Sequence, residues 1–321
     1  IRNAKMKAEE KQVGRYSATT TALLYLDGVV YLPICEEMRK RLDAFEVDGI
    51  EDGGMIEYLT RKKKEGRFPV YQTTERPDRA AQAILEGRVV LLTDNSPEAL
   101  IFPATLNSLF QTADDYYRNE RIVTFLRLIR YVAAATFHPQ LLPGNLIRSM
   151  AEARSGVPFP TAAEVLLMEL SFELLREAGL RMPGPAGNTI GIVGGLIVGQ
   201  AAVSANLVSP ITVTVAALTA LGSFSIPNEE LSEVFRLWKY GILLLGSCFG
   251  ILGVMLGCFL LLMLMAEQES YGIPWLYPYV GGNLNERADE KDSMFLAAAR
   301  KRKRRPIFAK WGNRIRFRRK S

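Results

Sequence analysis

The chain has 321 residues, 40 Lys or Arg against 34 Asp or Glu, and a formal net charge of +6. At 48% hydrophobic and 23% charged residues with a mean hydropathy of +0.05, its averages are those of an ordinary soluble protein and exclude a disordered, charge-dominated chain. Three cysteines, with Cys248 and Cys258 inside an apolar run, exclude a disulfide framework and read as small apolar fillers.

Residues 1–18 read as a polar, disordered lead. The chain starts at Ile1 rather than methionine and shows no basic-then-apolar leader, so any membrane insertion is expected to be directed by internal segments. From 19 to 130 the pattern is that of a soluble α/β domain. Residues 20–26 predict a strand ended by Asp27-Gly28, and 33–45 carry Ile34, Met38, Leu42 and Phe45 at helical spacing. Residues 55–64 read as a helix with a basic end, and 70–73 as a short strand. Residues 77–86 predict a helix closed by Gly87, and 88–93 with 99–102 a hairpin across Asp94-Asn95-Ser96-Pro97. Residues 114–130 form an Arg-bearing helix, and the Pro- and Gly-containing stretch 138–144 breaks the chain.

Behind this lies an all-α, polytopic membrane domain over 131–285. Residues 182–228 run 47 positions without an Asp, Glu, Lys, Arg or His; after an eleven-residue charged break, 240–265 form a second uncharged run of 26. A charged side chain costs about 2.5–3.5 kcal/mol at a bilayer centre, so such voids are the mark of membrane spans. Twenty-six helical residues reach ~39 Å against a hydrocarbon core of ~30 Å. Spans are expected near 162–180, 189–208, 211–226 and 240–265, the middle two separated at Ser209-Pro210 and short enough that one is a candidate re-entrant segment. A Pro-, Gly- and Tyr-rich exit over 272–284 precedes a basic C-terminal tail, 286–321, whose last 22 residues hold 12 Lys or Arg and no acid.

Two glycine stripes are expected to let helices approach closely: Gly191, Gly195 and Gly199, then Gly246, Gly250, Gly253 and Gly257. The first lies in a Gly-rich run that lacks the Gly-Lys-Ser/Thr ending of a phosphate loop. Glu169, Glu173 and Glu177 recur every four residues on the 162–180 helix. Two readings stand: a solvated or interfacial face, or a water-lined path in which carboxylate rings favour cations, with Gln200 and Asn206 as uncharged additions. His138 has no ligand-spaced neighbours and reads as structural; no metal, cofactor or catalytic set is expected. Arg300, Lys301, Arg302, Lys303, Arg304 and Arg305, with Phe308, Trp311 and Phe317 interleaved further on, fit anionic lipid and cytoplasmic sidedness rather than nucleic acid.

Several stretches, colinear over roughly residues 20–285, resemble the A subunit of bacterial spore germinant receptors, the GerA family with its stage V sporulation relative. They are Thr74-Glu75-Arg76-Pro77-Asp78, Leu85-Glu86-Gly87-Arg88-Val89, Ile101-Phe102-Pro103-Ala104-Thr105, Asp115-Tyr116-Tyr117, Thr136-Phe137-His138-Pro139 and Gly156-Val157-Pro158-Phe159-Pro160. Leu166-Leu167-Met168-Glu169 through Ala178-Gly179, Ile192-Val193-Gly194-Gly195 through Ala202-Val203, and Val208-Ser209-Pro210 complete the set. The resemblance implies a front domain of two subdomains and a membrane domain assembled as a homopentamer. It implies a ligand-gated channel of the spore inner membrane that releases monovalent cations, with a transporter-like B subunit and a lipoprotein C subunit as partners, and no enzyme activity. One departure stands out: only Val132-Ala133-Ala134-Ala135 occupies the place of a long apolar span in that family. With 162–180 counted as a span there are four crossings, and front domain and tail share the cytoplasmic side; with that helix in the interface there are three. A non-conducting scaffold that couples receptor components is the alternative function.

Overall fold

The computed structural model describes residues 5–62, 65–66, 68–111, 115, 123–124, 156–181, 186–280 and 305–310. The expected helix at 114–130 (apart from 115, 123 and 124), the break at 138–144 with His138, the shortened stretch 132–135 and the basic residues Arg300, Lys301, Arg302, Lys303 and Arg304 lie outside these, as do Trp311 and Phe317. The chain divides into two compact units. One comprises Ile1–Tyr131, Pro227–Val234 and Leu261–Ser321, the other Val132–Ile226 and Phe235–Leu260.

The first unit is an antiparallel sheet of five strands: β1 (Met6–Val13), β2 (Thr19–Leu26), β3 (Gln72–Thr74), β4 (Val89–Thr93) and β5 (Ala99–Phe102), in the order β1-β2-β4-β5-β3. The lead expected to be disordered is therefore in part a strand. Its charged sequence MKAEEKQV hides the alternation, and it sits at the sheet edge, where charge guards against further pairing. Side chains alternate across the sheet. Leu23, Val89, Leu91, Leu100 and Phe102 join one core with α1 (Leu32–Asp43) and α2 (Gly53–Thr60), while Val90, Ala99 and Ile101 join a second with α3 (Pro77–Glu86).

Local chemistry explains the helices. Ile34, Met38 and Leu42, four apart, bury one face of α1, and Lys40 and Arg41 fill its last turn, where the dipole favours cations. Asp52 caps α2 by accepting from the Met55 N–H at 2.9 Å. Pro77 opens α3 and Gly87, at φ +94°, closes it. A single-turn helix, α4 (Leu106–Phe110), follows β5.

The helical half comprises α5 (Thr161–Leu180), α6 (Ala186–Ser204), α7 (Pro210–Phe224), α8 (Glu229–Phe249) and α9 (Ile251–Glu267). In the second unit Met168 of α5 packs with Ala202, Val208 and Ala216. Among the described residues no helix is long and apolar enough to cross a membrane. The run 240–265, expected as one span, is divided at Gly250, whose φ of +60° stops α8 and lets α9 fold back on it. At ~1.5 Å per residue the 17 residues of α9 reach ~26 Å and the 15 of α7 ~23 Å, short of a ~30 Å core.

The exit after α9 and part of the tail are not surface segments. β6 (Glu269–Ser270) and β7 (Ile273–Pro274) form a two-residue hairpin over Tyr271 and Gly272, both at positive φ. Trp275 is fully buried, Phe308 packs in the first core, and Ala309 bridges Val30. The interfacial role expected for Phe308 is thus replaced by burial, and Arg305 donates from Nε to the Leu85 carbonyl at 2.9 Å.

Candidate functional site

Each carboxylate of the acidic stripe of α5 is paired with a cation. Glu169 is buried and ion-paired with Lys239, Glu173 meets Arg236 Nη1 at 2.5 Å, and Glu177 accepts from Arg181 Nη2 at 2.7 Å. Arg236 and Lys239 stand on α8 a turn apart, facing carboxylates that are also a turn apart on α5. Two charged rows thus lock across the helix pair. The sequence hid this because the cations lie in the eleven-residue charged break, some 65 positions from their partners.

Beside the rows lies a cavity of about 1140 Å³ with a mostly apolar wall. Glu169, Glu173, Arg176, Arg236 and Lys239 supply its charged lining, two carboxylates against three cations, with Gln200, Ser204 and Ser223 as its uncharged polar groups. Gln200 lines the same cavity as Glu169 and Glu173. Asn206 does not: it is exposed in the turn after α6 at φ +53°. Deeper in α5, Glu164 is wholly buried and accepts from the Ser209 N–H at 2.9 Å and the Thr212 hydroxyl at 3.1 Å, fastening the start of α7. That carboxylate had no assigned role in the sequence, yet it fixes the Ser209-Pro210 corner.

The glycines fall into three kinds. A Cβ on Gly195 would meet Phe172 at 3.4 Å and one on Gly199 would meet Val213 at 3.2 Å, so α6 uses small residues for close contact. Gly191's surroundings lie outside the described features. Gly246, Gly250, Gly253 and Gly257 do not form one stripe on one helix: Gly250 is the turn, and Gly253 and Gly257 of α9 press on Leu245 and Ile242 of α8. Four-residue spacing suits a continuous helix and a hairpin alike, which is why the sequence reading missed the fold-back.

In the first unit, Glu57 of α2 and Glu230 in the first turn of α8 face each other. Burial, then the neighbouring Glu230 carboxylate, pushes Glu57 up to about 8; Glu230 is raised too, chiefly by burial. An unfolded glutamate titrates near 4.3, so the folded chain holds this proton more tightly. The stability it confers is complete below about pH 4 and is lost as pH rises toward 8, at no more than about 1.4 kcal/mol per pH unit. Melting temperature is expected to fall from pH 5 to pH 8 and to fall less in Glu57→Gln; parallel profiles would refute the shared proton. Glu9, held low by its hydrogen bonds from Arg39, is already ionised across this window and does not confound the measurement.

Among the described residues no group of His, Cys, Asp or Glu is placed to hold a metal ion.

Comparison with known proteins places these features in a family. The Bacillus/Clostridium GerA spore germination protein family matches residues 1–308. The chain is 36% identical over 311 residues to the uncharacterized membrane protein YfkQ of Bacillus subtilis (strain 168), covering 93% of this chain and 60% of that one. It is 35% identical over 325 residues to the spore germination protein GerQA of Bacillus cereus, covering 97% and 64%. The chain thus spans less than two thirds of the length of these curated relatives. A crystal structure of the N-terminal domain of the A subunit of the Bacillus megaterium spore germinant receptor GerK3 shares 32% identity over 33% of this chain and 42% of that one, with a TM-score of 0.26. On the match over residues 1–308, the chain belongs to the GerA family of spore germination proteins.

Proposed function

We propose that this chain is a membrane subunit of a nutrient germinant receptor, and that copies of it assemble around a ligand-gated path through which monovalent cations leave the spore. The observation that carries the reading is the pairing of an ionisable interior with an apolar exterior. Glu169–Lys239 and Glu173–Arg236 line a cavity, while Leu252, Met255 and Phe259 of α9 are each more than 60% exposed. Contiguous apolar surface of this kind needs lipid or another protein against it. Helices shorter than a bilayer core are tolerated where neighbouring copies shelter them. A pentamer, a transporter-like B subunit, a lipoprotein C subunit, the spore inner membrane and a cytoplasmic front domain and tail belong to the same proposal.

In this reading the two ion pairs close the path and their separation exposes the carboxylates. Lys239→Gln leaves Glu169 uncompensated. Potassium efflux from proteoliposomes is expected to rise severalfold with Lys239→Gln and to fall with Glu169→Gln, since wall carboxylates favour cations. Equal flux in both variants and the parent would remove these pairs from any conduction path. The second reading, a non-conducting scaffold, is favoured by the excess of one cation in the cavity wall. Substantial flux from the purified chain alone would reject it.

A further inference from the structure

Residues 305–310 dock on the sheet-bearing unit as a short separate segment. Ala309 forms an antiparallel bridge with Val30; the Lys310 N–H donates to the Val29 carbonyl at 2.6 Å and the Tyr31 N–H to the Phe308 carbonyl at 3.2 Å. Phe308 is buried, with the Arg88 guanidinium carbon 4.4 Å from its ring centroid and the Tyr277 ring edge-on to it at 6.4 Å. Ala309 is buried against Gly87, where a Cβ would come within 2.8 Å of the Ala309 Cα. Arg305 reaches the Leu85 carbonyl. The groove thus reads a short sequence by backbone pairing and alternate pockets: a cation, an aromatic ring three residues on, then a side chain no larger than a methyl group.

Nothing in this geometry requires segment and groove to belong to one molecule. Between Val280 and Arg305 lie 24 residues, eleven of them charged. Fully extended, that length covers ~80 Å, several times the ~15 Å radius of gyration expected for a domain of this size. A neighbouring copy offers the same groove and the same contacts. The choice between own and neighbouring groove is then set by local concentration, which assembly raises. An emptied groove would bare the apolar surface that Phe308 and Ala309 cover, so exchange is favoured over release. We infer that residues 305–310 are an exchange element: in assembled copies the tail of one chain docks in the Val30–Gly87 groove of another, tying neighbouring sheet-bearing units together. This rests on the assembly of copies proposed above and gives it a named contact, but it needs no conduction, because every residue it uses lies in the sheet-bearing unit.

The bonds flanking Val30 and Ala309 make them a non-hydrogen-bonded antiparallel pair, a geometry that sets Cα atoms about 4.5 Å apart and within disulfide reach. The test uses the full chain with Cys35, Cys248 and Cys258 changed to alanine. Chains carrying Val30→Cys and chains carrying Ala309→Cys, differently tagged, are co-expressed and oxidised in detergent micelles. A disulfide joining the two tags forms only where a tail docks on another copy, and this heterodimer is expected as the main oxidised product. If both substitutions in one chain close a link within that chain and the mixture gives no heterodimer, the exchange is overturned; no link in either overturns the docking itself. Sedimentation of the parent in the same micelles separates the two readings. An oligomer without heterodimer leaves the assembly standing and sinks the exchange, whereas a monomer sinks both. Should the cysteine chains fail to fold, Ala309→Leu serves, because its tail no longer fits beside Gly87. A labelled peptide of residues 303–312 is expected to bind that chain roughly tenfold tighter or more than it binds the parent, whose grooves are filled. Equal binding, or none, would overturn the groove as a docking site for a segment from another molecule.

Discussion

Replacing Gly253 with alanine is expected to disrupt the α8–α9 hairpin and to cost at least about 3 kcal/mol, at the upper end of overpacking effects. A Cβ built at this position stands 1.9 Å from the carbonyl oxygen of Leu245 and 2.5 Å from its carbonyl carbon. Both are backbone atoms of the facing helix, so no rotamer change relieves the clash; the helices themselves must separate. Separation is opposed on the same face by Gly257, where a Cβ would meet Ile242 Cγ1 at 2.8 Å, and at the end by the Gly250 turn three residues away. Gly241 supplies the control, because a Cβ there meets nothing within 4 Å. Gly241→Ala should be neutral or stabilise by up to about 1 kcal/mol through helix propensity alone. Thermal melts of the two variants in the same micelles decide the matter. Indistinguishable melting temperatures would mean that α8 and α9 do not touch at this point.

How far the sequence disclosed this architecture depends on whether local chemistry or distant contact fixed each element. α3 was legible end to end, because Pro77 and Gly87 mark its limits by backbone geometry alone. The β4–β5 hairpin was legible for the same reason: Asn95 accepts the positive φ its turn demands. β1 was not, since an edge strand written MKAEEKQV has its register set by β2 and not by its own pattern. The corner at Ser209-Pro210 was visible, but not the Glu164 carboxylate that secures it from 45 residues away. At the candidate site the acids were found and their cations were not. Glu169 and Glu173 announce themselves by spacing on one helix, whereas Lys239 and Arg236 acquire meaning only when α8 is laid against α5. The residues after α9 misled most. Proline, glycine and tyrosine in 271–280 suggest a loop, and it is one, but a loop whose aromatic side chains complete the core of the sheet-bearing unit.

That loop yields the other large effect: Trp275→Ala is expected to destabilise the sheet-bearing unit by about 3–5 kcal/mol, the range for deleting a fully buried large aromatic. Trp275 is 0% exposed, its ring centroid lies 4.8 Å from that of Phe68, and its Nε1–H donates to the Pro69 carbonyl at 2.8 Å. Its backbone is equally committed, accepting from the Leu106 N–H and donating to the Gln268 carbonyl, both at 2.9 Å. Around it Gln268 Nε2 donates to the Phe68 carbonyl at 2.9 Å and the Ser270 hydroxyl to the Val70 carbonyl at 2.9 Å. Segment 268–275 thus serves as a covering layer for residues 68–71, supplying donors to the Phe68, Pro69 and Val70 carbonyls just ahead of β3. Removing the indole opens a cavity and orphans the Pro69 carbonyl together, so the two costs add. Trp275→Phe separates them: it keeps most of the buried area and loses only the donor, and is expected to cost about 1–2 kcal/mol. Hydrogen exchange at the amides of 68–74 and 100–106 is the local readout, with protection falling in the order parent, Phe, Ala. An alanine variant that retained full protection there would show that Trp275 does not hold segment 268–275 on the sheet, and that the Tyr271 contact with Tyr71 holds it instead.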